Sequence, residues 1–251
     1  MRRSMIPLLA LVVGLLAGPA VALQGKPKLG PDAVPITERT RYLREALAPD
    51  YWKLSAFYVP QFTTSACSVA SIAMAVNFAL GLPESAQAPI VTQTALLEQV
   101  GDPAWAGKGA EGGDGVTFAE FLSVLKASLA SYGIEGYRIE VIRPDGDRPT
   151  SLARLRQALA ENESSDRDLM LTYFNQGVLT GDWDGPHIAP IGAYDAESGR
   201  VLIMDVDREW YVPYWSPDEK LLDAMLKPAP DEHGPLAGET GGLVWIRLAA
   251  P

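Results

Sequence analysis

The chain contains one cysteine and two histidines, which limits the nucleophilic chemistry available to it. Cys67 follows the polar run Thr63-Thr64-Ser65 and precedes an apolar segment with helical spacing. Thr64 or Ser65 is a suitable N-cap, so the pattern predicts that the thiol lies in the first turn of a helix. The helix dipole favours a thiolate there, and a thiolate is the stronger nucleophile. A small apolar residue buried on a helix is the alternative interpretation of Cys67.

A catalytic thiol needs a base, and His187 and His233 are the candidates. His233 lies in a polar stretch rich in turn residues, which favours a solvated loop. His187 opens the apolar segment 188–194, and a turn separates this segment from a second one, 201–206. The pattern predicts an antiparallel hairpin, and a turn near position 196 would place His187 opposite or diagonal to Asp205 on the same face.

A carboxylate that holds the imidazole completes a cysteine–histidine nucleophilic pair, because it fixes the tautomer and stabilises the imidazolium. Asp205 is the preferred candidate, since a charge inside an apolar run is costly without a partner. Asp207 has the same strand parity and is the rival, whereas Asp195 lies in the turn. A buried Asp205 satisfied by backbone donors is the alternative interpretation.

Acyl transfer also needs a donor for the oxyanion of its intermediate. Gln61 precedes Cys67 in the loop that enters the helix, so its amide could point to the same place as the backbone N–H of Cys67. The spacing makes Gln61 a candidate oxyanion donor.

Hydrophobic periodicity and breakers predict mostly helices in the first half of the chain and mostly strands in the second. The predicted helices cover 37–48, 65–80, 93–100, 117–131 and 151–160, with a sixth that opens at a capping box, Ser216-Pro217-Asp218-Glu219, and ends at 226. The predicted strands cover 137–142, 169–174, 188–194, 201–206 and 242–248. This segregation is typical of an α+β fold.

Composition excludes several classes of protein. The 251 residues are 47% hydrophobic, enough to fill a core, so disorder is not expected. The net charge of −10 argues against binding to nucleic acid or to anionic membranes. One cysteine cannot form an internal disulfide, and with two histidines it cannot complete a structural zinc site.

The first 22 residues have the pattern of a secretory signal peptide: Arg2 and Arg3, an apolar run, and then Ala20-Val21-Ala22. We expect cleavage after Ala22 and export to the periplasm or the medium, with a single-span anchor as the alternative. Residues 23–54 then form an arm and a helix, and residues 55–248 the catalytic domain, which is not stably inserted in a membrane.

The order Gln61, Cys67, His187, Asp205 resembles that of the papain-type cysteine peptidases. More narrowly, the chain resembles the phytochelatin synthase family in its short bacterial form. The motifs that carry this resemblance begin with the stretch from Gln61 to Ser71, followed by Asn77. The others are Gly115-Val116-Thr117-Phe118, His187-Ile188-Ala189-Pro190-Ile191-Gly192-Ala193-Tyr194 and Leu202-Ile203-Met204-Asp205-Val206, continued by Arg208, Pro213, Trp215 and Ala224-Met225.

The resemblance implies a papain-like two-lobed fold, with a helical N-terminal lobe and an antiparallel sheet in the C-terminal lobe. It also implies acyl transfer on glutathione, or on a related γ-glutamyl peptide. Cys67 would attack the cysteinyl–glycine bond and His187 would protonate the leaving glycine. Asp205 would orient His187, and Gln61 would hold the oxyanion. The γ-glutamylcysteinyl group would pass to water or to a second glutathione.

By the same resemblance, bond cleavage requires no cofactor, and thiol-reactive cadmium or zinc is a modulator. The chain departs from the family pattern at Ser68, where glycine is usual. It also departs at Asn175 and Gly241, where arginine is usual and would pair with a substrate carboxylate.

A second hypothesis is a secreted protein on the same fold that binds a peptide without turning it over. Its basis is the loss of the two arginines together with four tryptophans that could line an apolar groove: Trp105, Trp183, Trp210 and Trp215.

Overall fold

The fold is built on an antiparallel sheet of seven strands. A computed structural model describes residues 28–249, so the predicted signal peptide lies outside the described residues. The strands are β1 Val34–Pro35, β2 Tyr137–Ile142, β3 Asp168–Asn175, β4 Pro186–Asp195, β5 Arg200–Ile203, β6 Tyr214–Pro217 and β7 Gly242–Leu248. Their order across the sheet is β1-β6-β5-β4-β3-β7-β2.

Helices cover both faces of this sheet. Within residues 28–249 they are α1 Arg41–Glu45, α2 Pro49–Ser55, α3 Cys67–Leu80, α4 Gln93–Val100, α5 Pro103–Lys108, α6 Phe118–Ser131, α7 Arg148–Glu163, α8 Gln176–Thr180 and α9 Asp218–Leu226, with a 3-10 helix at Asp231–Leu236. None of these described helices has both the length and the apolar character that crossing a membrane requires. The expected α+β class is confirmed, with the early helices packed against the antiparallel sheet.

Two apolar clusters form the core, one on each face of the sheet. In β3, Leu169 and Leu171 belong to the cluster shared with α3 and α6, whereas Met170 and Phe174 belong to the cluster shared with α7 and α9. Alternate strand residues therefore bury opposite faces, which explains why β3 is apolar along most of its length instead of alternating with polar residues.

Helix α3 runs through the first cluster and is buried along most of its length. Ala, Val, Ile and Met dominate its sequence, so it needs no polar face. It ends at Gly81, whose φ of 73° is readily accessible to glycine, as the sequence predicts. The Ser71 hydroxyl donates to the carbonyl of Ile188 at 3.0 Å and ties α3 to β4.

The prediction of one helix over 37–48 is wrong. Helix α1 covers only Arg41–Glu45, and a second helix, α2, begins at Pro49. Proline at the first helical position loses no hydrogen bond, so here it starts a helix, whereas the sequence analysis used it only as a stop. Ala48, with φ of 40°, makes the turn between them.

The predicted capping box at Ser216 is also wrong. Ser216 lies in β6 and pairs with Val201 of β5, so Pro217 takes the N-cap position of α9. Asp218 then binds the guanidinium of Arg156 at 2.8 and 2.9 Å, which joins α9 to α7.

A partly buried carboxylate, Glu163, joins the C terminus of α7 to β4. Its oxygens accept the backbone N–H of Tyr194 at 2.7 Å and the hydroxyl of Tyr42 at 3.0 Å. Burial raises the pKa of Glu163 to about 7, the negative charge of Asp195 acts in the same direction, and the two hydrogen bonds only partly oppose them. The folded protein therefore keeps this proton at a pH where the unfolded chain has lost it.

We expect Glu163→Gln to change how stability depends on pH. The raised pKa of Glu163 stabilises the folded protein fully below about pH 4.3, and this stabilisation is lost as the pH rises to about 7. A glutamine at this position does not titrate, so the variant lacks this pH dependence. In thermal unfolding, the Tm of the variant minus the Tm of wild type should increase by roughly 3 °C from pH 5 to pH 8. Glu84→Gln, at an exposed carboxylate, is the control. Parallel Tm curves for wild type and Glu163→Gln would contradict the assignment.

Candidate active site

Cys67 is the first residue of α3, and its thiol is free and partly exposed. The predicted placement at a helix N terminus is confirmed, but the predicted N-cap is wrong: Ala66 occupies that position and no side chain caps the helix. The first-turn N–H groups therefore have no capping side chain. Such groups stabilise negative charge on a nearby sulfur or oxygen.

The polar side chains before Cys67 bind a neighbouring loop, which is why they do not cap α3. Thr63 donates to the carbonyl of Gly109 at 2.6 Å, and Ser65 donates to the carbonyl of Gly113 at 2.6 Å. Thr64 donates to Glu111 at 2.7 Å. These bonds hold the segment that leads into Cys67 against the loop that follows α5.

His187 lies near the start of β4, buried and packed against Phe174 of β3. The two rings meet edge to face, with centroids 5.7 Å apart and planes at 88°. Cys67 is a side-chain hydrogen-bond partner of this ring. The structure thus brings together the thiol and the imidazole, which the sequence separates by more than a hundred residues.

Asp205 is fully buried beside His187 and accepts three hydrogen bonds. The Nε2–H of His187 donates to Oδ1 at 3.1 Å, the amide of Gln176 donates to Oδ2 at 2.8 Å, and the backbone N–H of Asp207 donates to Oδ1 at 2.9 Å. Because Asp205 engages Nε2, Nδ1 is the ring nitrogen left for Cys67. Of the two candidate orienting carboxylates, Asp205 is the one bonded to the ring of His187. Asp207 donates its backbone N–H to Asp205.

The hairpin that carries this pair differs in detail from the expected one. Strand β5 ends at Ile203 and not at position 206, so Asp205 reaches His187 from the segment beyond the strand. A bulge in β4 between Ile191 and Ala193 shifts the register. An added Cβ at Gly192 would lie 2.8 Å from the side chain of Met204, so a larger residue there would require Met204 to move.

Electrostatics favours a charged imidazole. Burial alone would lower the pKa of His187, but attraction to Asp205 and hydrogen bonds to Asp205 and Cys67 outweigh it and raise that pKa well above its ordinary value. A protonated ring beside the sulfur stabilises a thiolate, and it can also donate a proton to a leaving group.

Gln61 lies at the same site. Its backbone N–H donates to the carbonyl of Val206 at 2.8 Å, which fixes the loop before Cys67 to the segment after Asp205. Its side-chain amide donates one hydrogen to the carbonyl of Thr64 at 3.2 Å, and the amide group has a second hydrogen to donate. The oxyanion role of Gln61 stays a prediction.

These residues open on a cavity of about 640 Å³, lined among others by Gln61, Cys67, His187 and Tyr173. This volume is within the range of small-ligand sites. The described lining residues include four carboxylates, Asp114, Asp182, Asp207 and Glu232, and no lysine or arginine. The cavity is therefore acidic apart from His187 and His233.

Sequence reasoning missed Gln176, which positions Asp205 from the start of α8. The signal was present, because a polar residue directly after an apolar strand often lies at a site. Tyr58 was missed as well, and its hydroxyl donates to the backbone carbonyl of Asp205.

The residues that depart from the family pattern, Ser68, Asn175 and Gly241, are packed against neighbouring residues of the fold. Ser68 is buried and accepts the indole N–H of Trp105 at 3.0 Å. Asn175 is buried and donates to Asp184 at 2.7 Å. A Cβ at Gly241 would lie 1.9 Å from the carbonyl oxygen of Tyr173, so no side chain fits there in this backbone.

The expectation of a groove lined by four tryptophans is half wrong. Trp105 and Trp215 are core residues, whereas Trp183 and Trp210 are about half exposed and line the cavity. His233 is partly exposed, as expected, but the predicted loop is wrong. This residue lies in the 3-10 helix, its ring meets Trp183 edge to face at 5.2 Å, and its Nε2–H donates to the carbonyl of Asp184 at 2.7 Å.

Within the described residues, no three His, Cys, Asp or Glu side chains are placed to share a metal ion. The fold and the site define a class of protein: an α+β protein in which a thiol at a helix N terminus faces a histidine–aspartate pair carried by an antiparallel sheet, as in papain-like enzymes. The family model described as phytochelatin synthase matches residues 28–234, and the chain belongs to this family of enzymes.

Curated relatives match shorter segments. Glutathione gamma-glutamylcysteinyltransferase 3 of Lotus japonicus is 46% identical over 63 residues, which are 25% of this chain and 12% of the relative. Glutathione gamma-glutamylcysteinyltransferase 2 of Arabidopsis thaliana is 30% identical over 111 residues, 44% of this chain and 22% of the relative. The matches thus span less than a quarter of these relatives. Among solved structures, the Pseudomonas avirulence protein AvrPphB matches at 14% identity and a TM-score of 0.34, over 78% of this chain and 100% of that one.

We expect Asp205→Asn to lower the pKa of His187 by at least about one unit, because it removes the negative charge that stabilises the imidazolium. NMR titration of labelled histidine rings measures this directly. Glu84→Gln, a change at an exposed carboxylate, is the control. The same titration curve for His187 in both proteins would contradict the proposed electrostatics.

Proposed function

We propose that this protein is a thiol acyltransferase or peptidase that removes glycine from glutathione, or from a related γ-glutamyl peptide, through an acyl-enzyme on Cys67. The observation that carries this proposal is the connected network of Cys67, His187 and Asp205 at the edge of a peptide-sized cavity. The names of the curated relatives support the choice of substrate.

In the first step, the sulfur of Cys67 attacks the cysteinyl carbonyl carbon and a thioester forms as the carbon–nitrogen bond breaks. The imidazolium of His187 gives its proton to the departing amine. The backbone N–H of Cys67 and the amide of Gln61 hold the oxyanion of the tetrahedral intermediate. Asp205 keeps the ring of His187 oriented throughout and does not itself transfer a proton.

In the second step, water is the proposed acceptor. Neutral His187 takes a proton from the water as its oxygen attacks the thioester carbonyl, and the sulfur leaves as the thiolate. The products are γ-glutamylcysteine and the free enzyme. The acidic lining of the cavity supports water over a second glutathione, because that molecule carries a net negative charge.

No cofactor takes part in this cleavage. Thiol-reactive cadmium or zinc would act as a modulator by binding the thiolate of Cys67 or the thiol of the substrate. The N-terminal sequence supports export, so the proposed site of action is the periplasm or the medium.

A second candidate function is peptide binding without turnover. The half-exposed rings of Trp183 and Trp210 at the cavity favour it, since such aromatics are common in recognition sites. Only the enzyme requires that the thiol be chemically activated.

Mass spectrometry tests the catalytic proposal. Incubation of the reduced protein with glutathione should release glycine and γ-glutamylcysteine and yield a transient acyl adduct on Cys67. Cys67→Ala should abolish both, and His187→Asn should lower the rate by about a thousandfold, the scale of general acid–base catalysis. Glu84→Gln, at an exposed carboxylate in the segment that follows α3, is the control for purification and assay. Absence of glycine and adduct from wild type with an intact thiol would contradict the proposal.

Alkylation separates the enzyme from the binding protein. We expect iodoacetamide to modify Cys67 in the folded protein at least about tenfold faster than in the denatured chain at neutral pH, because the imidazolium and the helix N terminus favour the thiolate. His187→Asn should remove most of this difference. An equal or slower rate in the folded protein would favour the binding function.

A further inference from the structure

We propose that the His187 side of the cavity binds a positively charged leaving group, so that the preferred substrate is a γ-glutamylcysteinyl amide of a cationic amine instead of glutathione. This inference rests on the acyl-enzyme chemistry of the proposed function and replaces glycine with a cationic amine as the preferred leaving group. It follows from the position of Asp207, from the aromatic rings beside it and from a lysine of the chain that already occupies the same surface.

The leaving group must lie on the side of His187, because this ring gives it a proton. Asp207 is on that side, since its backbone N–H donates to the same oxygen of Asp205 that binds His187. Its carboxylate lines the cavity and is partly buried. Burial raises the pKa of this carboxylate, and among residues 28–249 His187 and Lys28 attract it without forming a salt bridge with it.

The turn after Asp207 places two aromatic residues next to this carboxylate. The carbonyl of Asp207 accepts the N–H groups of Trp210 at 3.1 Å and Tyr211 at 2.8 Å. The hydroxyl of Tyr211 donates to Asp182 at 3.0 Å, which brings a second carboxylate to the same surface. Rings and carboxylates together form the usual environment of a bound ammonium group.

Lys28 demonstrates that this surface accepts such a group. Its ammonium nitrogen lies 4.2 Å from the ring centroid of Trp210, 5.0 Å from that of Tyr211 and 3.9 Å from a carboxylate oxygen of Asp182. Lys28 lines a separate groove, and Trp210 and Tyr211 line both that groove and the cavity of the active site. On the cavity side, Trp210 and Tyr211 lie beside Asp207, and this is the surface on which we place the substrate cation.

A glycine carboxylate would meet the opposite environment. The described lining of the cavity contains no lysine or arginine that could pair with it, and Asn175 and Gly241 are committed to packing. Asp207 and Asp182 would repel it at close range. An amine whose far end is protonated would instead be attracted by Asp207, whereas Asp182 already interacts with Lys28 and Tyr211.

The reaction balances without any further reagent. The sulfur of Cys67 bonds to the cysteinyl carbonyl carbon, the amide carbon–nitrogen bond breaks, and the amine leaves with the proton from His187. Water then cleaves the thioester to give γ-glutamylcysteine, and its proton returns to His187. The second, protonated nitrogen of the amine takes no part in bond making and serves only in binding.

Three substrates that share the γ-glutamylcysteinyl group test this inference. They are the amide of putrescine, with a distal ammonium; the butylamide, its uncharged analogue; and glutathione, with a carboxylate. We expect kcat/KM, measured as γ-glutamylcysteine released, to be about tenfold higher for the putrescine amide than for the butylamide, equivalent to 1.4 kcal/mol from one ion pair and one cation–π contact. Glutathione should be the poorest substrate.

Asp207→Asn should bring the ratio of kcat/KM for the first two substrates close to one, whereas Glu84→Gln should leave the wild-type ratio unchanged. Equal rates for the charged and uncharged amides in wild type, or fastest cleavage of glutathione, would overturn this inference and leave the proposed function in place. Absence of product and of acyl adduct with all three substrates, from protein with a reactive thiol, would overturn the proposed function and the inference together.

Discussion

The site depends on one constraint, the burial of a charged carboxylate. Asp205 has no contact with solvent, and a buried carboxylate is costly unless donors surround it. The three hydrogen-bond donors to its carboxylate come from β4, from α8 and from the segment that follows Asp205 itself. Satisfying this single group therefore fixes where these segments meet, and with them the orientation of His187. The geometry that would activate the thiol follows from the requirement to compensate Asp205.

The elements that carry the thiol and the ring also have to be joined, and α3 and the sheet do this. The hydroxyl of Ser71, one helical turn beyond Cys67, binds the carbonyl next to His187. A short bond of this kind, within a close-packed core, limits relative motion of the two elements. Cys67 and His187 thus face each other across an interface that is stabilised independently of any substrate. Such preorganisation reduces the cost of assembling the site when a ligand binds.

Features set by local chemistry could be predicted from the sequence. The placement of Cys67 in the first turn of a helix, the end of that helix at Gly81 and the hairpin that carries His187 depend on neighbouring residues, and these predictions agree with the structure. Features set by distant partners could not. The hydroxyls before Cys67 bind the loop after α5 instead of capping α3, Gly192 lies against the distant Met204, and Gln176 is recognisable only once Asp205 lies beside it. Local pattern carries no information on which long-range donor will be used.

The charges at the site act in two opposing ways. Asp205 raises the pKa of His187, and the resulting imidazolium favours a thiolate on Cys67. Other carboxylates around the cavity disfavour that same thiolate, since they add negative charge nearby. The N terminus of α3 has no capping side chain, and its free N–H groups offset this penalty because they stabilise a negative charge on the sulfur. An acidic cavity is therefore compatible with a nucleophilic thiol here. The negative charge of the cavity disfavours the binding of anionic ligands and does not prevent the activation of Cys67.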